Sequence, residues 1–124
     1  WKRGFFDIRE LVEIASNANC CLGIFGKTEK AKRVVPYKVY QALALARPVI
    51  TAENIEMKRL FKKKPGGILV PPADGLQLAA ALITLATDAE LCHRLAENAR
   101  KIYDQYLSNK IIEQELDCQL QPLL

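Results

Sequence analysis

The sequence predicts an α/β domain built on a short parallel sheet of three to four strands, flanked by helices and closed by C-terminal helices. Two observations carry this. Three brief, nearly all-apolar runs alternate with longer stretches of helical periodicity. Runs that are apolar at every position suit parallel strands buried on both faces, and the strand–helix order implies right-handed crossovers. Composition agrees: the 124 residues are 50% hydrophobic and 26% charged, which suits a folded globular domain and excludes a disordered chain. One domain is expected over 1–124, with a last helix and tail over 108–124. No apolar run approaches the ~20 residues of a membrane span.

Residues 7–18 place Ile8, Leu11, Val12, Ile14 and Ala15 on one side at helical spacing. Asp7 is the expected N-cap, and Glu10 completes a capping box. CCLGIFG, 20–26, reads as the first strand, and KTEKAKR, 27–33, as a charged loop. Pro36 presets the first turn of a helix over 36–46, with Val39, Leu43 and Ala46 facing inward. Pro48–Thr51 is the second strand, and a polar helix follows over 53–64, stopped by Pro65-Gly66-Gly67. The run 68–72 contains the third strand. Asp74 caps a helix with Leu76, Ala79, Leu82 and Ile83 on one face. Asp88 caps another carrying Leu91, Leu95, Ala99, Ile102, Tyr103 and Tyr106. A final helix over 109–120 presents Ile112, Leu116 and Leu120. The order is that of a partial Rossmann-like, three-layer domain. Trp1–Phe6 is either a short fourth strand or only a loop. With so few strands and no initiating Met, a piece of a longer chain is expected.

Charge is uneven. Residues 1–64 carry a net +8 and residues 65–124 a net −4, so the first half suits an anionic partner. Lys58, Arg59, Lys62, Lys63 and Lys64 form one cluster, which on a helix gives a basic face; a plain solvated face explains it first, and contact with acidic lipid headgroups is the alternative. Aromatic residues do not interleave with these cations and no nucleic-acid motif is present, so nucleic acid is not an expected partner. Cys20, Cys21, Cys92 and Cys118 form no C-x-x-C pair, and His93 is the single histidine. That pattern offers no zinc site. All four thiols read as reduced and structural, hence a cytoplasmic protein, with peripheral membrane contact as a further option. Nothing in the sequence asks for a bound cofactor, and neither a nucleophile–base pair nor a G-x-G-x-x-G or P-loop pattern is present.

In open α/β sheets ligands bind beyond the carboxyl ends of the strands. The loop after the first strand is the informative one there. It carries Lys27, Lys30, Lys32 and Arg33 and runs through Val34 and Val35 into the helix at Pro36. Basic side chains beside a helix N-terminus suit a phosphate. Lys38 reaches the same region from the first turn. Gln41, one turn on, offers an amide to a ribose or sugar hydroxyl, and Tyr37 offers a stacking face. A solvated loop and ordinary helix packing explain the same residues without a ligand. Either Glu53 or Asn54 starts the helix after the second strand, and Asp74 caps the one after the third, so capping explains them without a ligand.

Four stretches, NANCCLGIFG, VVPYKVYQALALARPVITAEN, GGILVPPADGLQLAAALITLATDAEL and RLAENARKIYDQYL, extend this reading. Together they resemble the C-terminal half of GT-B glycosyltransferases of the "glycosyl transferases group 1" type. The strongest element is a helix ending in Ala-x-Ala-Arg-Pro-Val-Ile. About 20 residues on come Gly-Ile-Leu-Val-Pro-Pro-x-Asp and a leucine/alanine helix. The likeness runs from about Asp7 to Leu107.

That resemblance implies a nucleotide-sugar-dependent, retaining hexosyltransferase of carbohydrate biosynthesis, with no metal in the catalytic step and the nucleotide-sugar as substrate. The acceptor domain would belong to the N-terminal part of the same parent chain, so the 124 residues alone are expected to be inactive. The family's two donor-site glutamates, eight positions apart, align with Arg33 and Gln41. The first usually faces the donor sugar and the second the ribose. Val34, Val35, Pro36 and Tyr37 stand at the family's glycine-rich turn, and Pro36-Tyr37-Lys38-Val39-Tyr40 resembles a subgroup variant. The expected donor site is therefore Lys30, Arg33, Val34, Val35, Tyr37, Lys38 and Gln41. A noncatalytic, degenerate binding or interaction module of the same fold stays open as the second reading.

Overall fold

A computed structural model describes residues 7–123. The strands β1 (Cys21–Leu22), β2 (Val49–Ala52) and β3 (Gly67–Val70) form one parallel sheet in the order β1-β2-β3. Helix α1 (Ile8–Asn17) precedes it, while α2 (Tyr37–Ala44) and α3 (Ile55–Leu60) fill the two crossovers. Helices α4 (Gly75–Thr87), α5 (Ala89–Ile102) and α6 (Asn109–Leu120) follow β3. This is the partial Rossmann-like α/β arrangement that the strand–helix alternation predicts. The fourth strand considered for Trp1–Phe6 lies outside the described residues.

Alternate residues of the strands feed two apolar clusters. On one face Val49 meets Val39, Ala42 and Leu43 of α2, and Met57 and Phe61 at α3. On the other, Ile50 and Val70 meet Ala81 and Leu85 of α4. Helix α5 serves both clusters: Leu95 belongs to the second, Ala99 and Ile102 to the first. Its close approach explains Gly66, where an added Cβ would lie 3.1 Å from the Cα of Ala99. At Gly67 an added Cβ would collide with the backbone carbonyl of Val49.

Strand β1 is shorter than the apolar run predicts, and the cause is local. Pairing is regular through the Gly23 amide, which donates to the Ile50 carbonyl at 2.9 Å. The ladder then slips by one residue, and the Ala52 amide donates to the carbonyl of Ile24, not of Gly23. Thr51 fills the gap. Its fully buried hydroxyl accepts from the Ile24 amide at 3.2 Å and donates to the Ile24 carbonyl at 3.1 Å. A side chain on Gly23 would strike that hydroxyl. The result is a bulge that redirects the chain at the end of β1.

Several helix predictions need correction. The apolar side of α1 is not buried: Ile8, Leu11, Val12 and Ile14 are exposed. Asp7 does cap the helix, accepting from the Arg9 amide at 3.3 Å. The inner face of α4 is Leu78, Ala81 and Leu85, whereas Leu76, Leu82 and Ile83 point outward. That helix is apolar on every side, so its periodicity marks no unique face. Helix α3 ends at Leu60, well before Lys64. Phe61 turns into the core, and Pro65 disfavours helical backbone at the residue before it. Lys62, Lys63 and Lys64 therefore sit on a turn. After Ile102 the chain widens into a π-type turn over Tyr103–Leu107, which leaves Tyr106 exposed. Ile112, Leu116 and Leu120 of α6 are exposed as well.

Helix α2 ends in a Schellman motif. The Arg47 amide donates to the Ala42 carbonyl at 2.9 Å and the Ala46 amide to the Leu43 carbonyl at 3.1 Å. Ala46 occupies the left-handed position with φ 53°. A Cβ there costs about 1–2 kcal/mol, and Gly in its place gives back part of that in unfolded-chain entropy. Ala46→Gly should therefore raise stability by about 0.5–1 kcal/mol in urea denaturation. Thr51→Val keeps the shape but strands the Ile24 amide, and the same measurement should show a loss of about 1–3 kcal/mol.

Candidate functional site

The bulge at the end of β1 delivers the chain to the basic loop. After Gly26 the loop turns at Thr28, whose hydroxyl accepts from the Ala31 amide at 3.2 Å. A single 3-10 turn covers Ala31–Arg33, and the chain then extends through Val34 to Pro36, the N-cap of α2. Asn54 pins this path from the next loop. Its amide nitrogen donates to the carbonyls of Ala31 at 2.8 Å and Val34 at 2.9 Å. Its oxygen caps α3 by accepting from the Met57 amide at 2.7 Å. Capping accounts for Asn54 as the sequence predicts. The hold on the basic loop was hidden, because 20 residues separate Asn54 from Val34.

The loop cations are not equivalent. Glu29 engages Lys32 at 2.6 Å and Arg33 at 3.6 Å. Both pairs are exposed, and such pairs contribute about 0–1 kcal/mol, so an incoming anion competes readily for the same cations. Lys27, Lys30 and Lys38 form no ion pair among the described residues. Tyr37 is 74% exposed at the first position of α2. Lys38 is exposed beside it and Gln41 is half-buried. Tyr37 and Gln41 lie one turn apart, as do Lys38 and Gln41, so the three share one side of α2. The Val39 amide donates to the Pro36 carbonyl at 2.8 Å, and the positive end of the helix dipole lies at this start of α2.

Two expected members stand apart. Val34 contributes its carbonyl to Asn54, and Val35 packs against the first core cluster. Of the others, Lys30 and Arg33 are exposed on the loop, and Tyr37 and Lys38 are exposed with Gln41 half-buried on the first turns of the helix it leads into. The neighbouring loops add no free carboxylate to these residues. Glu53 pairs with Lys58 at 3.0 Å, and Asp74 caps α4 by accepting from the Gln77 amide at 3.0 Å.

No cluster of His, Cys, Asp and Glu able to hold a metal occurs among the described residues. His93 is exposed on α5 and lies 3.7 Å from Glu97. The Cys92 thiol donates to the Asn19 carbonyl at 3.5 Å. Burial pushes the Cys20 and Cys21 thiols above their ordinary pKa. Cys92 adds to this at Cys20, and Cys20 adds to it at Cys21, where Arg47 partly opposes. No single helix among the described residues is long and apolar enough to cross a membrane. No family model, curated protein or solved structure matches the chain.

The raised thiols make a direct prediction. A thiol whose pKa is raised by folding binds its proton more tightly in the native state. Its contribution to stability is present below the ordinary thiol range and falls as pH rises through it. At mildly alkaline pH, iodoacetamide should modify exposed Cys118 first and reach Cys20 and Cys21 slowly, as read by peptide mass mapping.

Proposed function

We propose that the chain is the distal part of the donor-binding half of a glycosyltransferase and binds the diphosphate and ribose of a nucleotide-sugar. One observation carries the reading. The bulge at Thr51 and the clamp at Asn54 hold a cationic loop beside the N-cap of α3 and lead it into the start of α2, at the carboxyl end of the strands. Lys30, Arg33 and Lys38 meet phosphate there. Gln41 bonds a ribose hydroxyl, and Tyr37 flanks the base. In this reading the acceptor and the remaining diphosphate contacts come from another part of the parent chain, and the sugar is transferred with retention of configuration.

A second reading, a noncatalytic binding module, draws on two particulars. Glu29 already engages Arg33, and Gln41 offers no charge-assisted hydrogen bond to a hydroxyl. Sugar transfer or sugar-nucleotide hydrolysis by the full-length parent removes this alternative.

NMR titration with UDP, GDP, ADP and CMP tests the site directly. Resonances of Arg33, Tyr37, Lys38 and Gln41 should shift with one nucleotide more than with the others. Gln41→Ala should weaken that binding about 2–10-fold, the worth of one neutral hydrogen bond. Gln41→Glu should strengthen it where the amide bonds a ribose hydroxyl. Shifts confined to other residues, or none at millimolar nucleotide, count against the donor site.

A further inference from the structure

A second anion-attracting feature lies away from the loop. The turn after α3 and the end of α5 border an open groove of about 880 Å³. Arg59, Lys62, Lys63, Lys64 and Lys101 line it, and Glu56 is its one carboxylate. Glu56 is taken up by Arg59 at 3.2 Å, and Lys101 reaches Glu97 only at 4.0 Å. Lys62, Lys63 and Lys64 have no ion pair among the described residues. The floor is different in kind. Val35 and Leu60 are half-buried, Ile102 is buried, and all three pack on or in the first core cluster. Tyr106 stands at the edge, half exposed.

We infer that this groove docks the chain on an anionic phospholipid surface. The combination of chemistries favours that partner. Lysine stems run over apolar surface while their ammonium heads stay in water, which matches a headgroup layer with phosphate above and acyl carbons below. Tyrosine is at home at that boundary. A nucleic acid would use the cations but leave the apolar floor unfilled, and the groove offers one aromatic side chain for stacking. The inference goes beyond the nucleotide site, because the groove cations come from α3, its following turn and α5. It also differs from a continuous basic helix, since Lys62–Lys64 form a turn and Lys101 joins them from nearly forty residues on.

Co-sedimentation with unilamellar vesicles tests it. The chain should bind phosphatidylcholine vesicles carrying about 30% phosphatidylserine, ignore pure phosphatidylcholine, and release at about 0.5 M NaCl. Lys62→Gln/Lys63→Gln/Lys64→Gln should lower the partition coefficient roughly 100-fold, and Lys101→Gln roughly 5-fold. All five cations are exposed, and an unchanged circular dichroism spectrum confirms folding of each variant. Lys27→Gln/Lys30→Gln/Lys32→Gln, on the nucleotide loop, should keep at least most of the binding. Equal binding to neutral vesicles overturns the inference. So does equal loss in the loop variant, which would mean general attraction by net charge. Binding of soluble inositol phosphates without binding of vesicles also overturns it. Failure of the nucleotide titration leaves these outcomes unchanged, so the two readings fail separately.

Discussion

The two-sided core depends on β2 being buried on both faces and paired on both edges. Val49, Ile50, Thr51 and Ala52 are all buried, and β1 and β3 pair with the same strand in parallel. A parallel strand in this position needs helices above and below. Val49 and Ile50 answer to opposite clusters, so one strand seeds both. Its last buried polar group, the Thr51 hydroxyl, also sets where β1 stops pairing and where the basic loop begins. Packing in the middle of the sheet thus reaches the candidate site through two hydrogen bonds to one residue, Ile24.

Helix α5 closes the same core from the end where β3 begins. It reaches both clusters only because Gly66 lets its backbone come close. The Arg100 guanidinium adds a tie to the end of α2, donating to the Ala44 carbonyl at 3.0 Å while pairing with Asp104 at 3.0 Å. That placement sets Lys101 and Tyr106 opposite the turn after α3, which makes a groove out of three segments. Val35 joins the two surfaces. It ends the basic loop, packs on the core and floors the groove, so the path of the loop and the depth of the groove are not independent.

The legible parts of the sequence were those with one dominant cause. Short apolar runs gave β2 and β3 within a residue or so, and Asp74, Asp88 and Asn54 cap the helices they precede. Periodicity failed where it was ambiguous. Helix α4 is apolar all round, so Leu76 and Ala81 were indistinguishable until β2 and β3 selected one side. The exposed side of α1 has the opposite lesson: a good amphipathic pattern names a face but not a partner for it. Ala46 carried no warning, since alanine there reads as helix continuation. In the candidate site the residue types and the helix start were legible. The grip of Asn54 was not, because it joins two loops through backbone carbonyls that any sequence would supply. Glu29 was visible within the charged run, but its pairing geometry was not.

In the proposed donor reading, Arg33 and Gln41 stand where the resembling family carries glutamates, and that would change the physics of the site in one direction. Arg33 adds a cation where a carboxylate is expected, and Gln41 removes a charge. The loop and the first turn of α2 then carry Lys27, Lys30, Lys32, Arg33 and Lys38 against Glu29 alone. A carboxylate on a ribose hydroxyl gives strong, directional recognition, and it also repels a nearby diphosphate. Replacing it by an amide weakens the directional part and lifts the repulsion. Arg33 stands in a looser pair with Glu29 than Lys32 does, 3.6 against 2.6 Å, so of these two it is the more easily transferred to a ligand. Affinity in such a site comes mainly from charge at an exposed rim. Charge at that exposure is screened by salt and reads phosphate more than base or sugar. A donor site built this way discriminates less among nucleotides than one with both carboxylates. In that reading, selectivity comes from groups outside these residues.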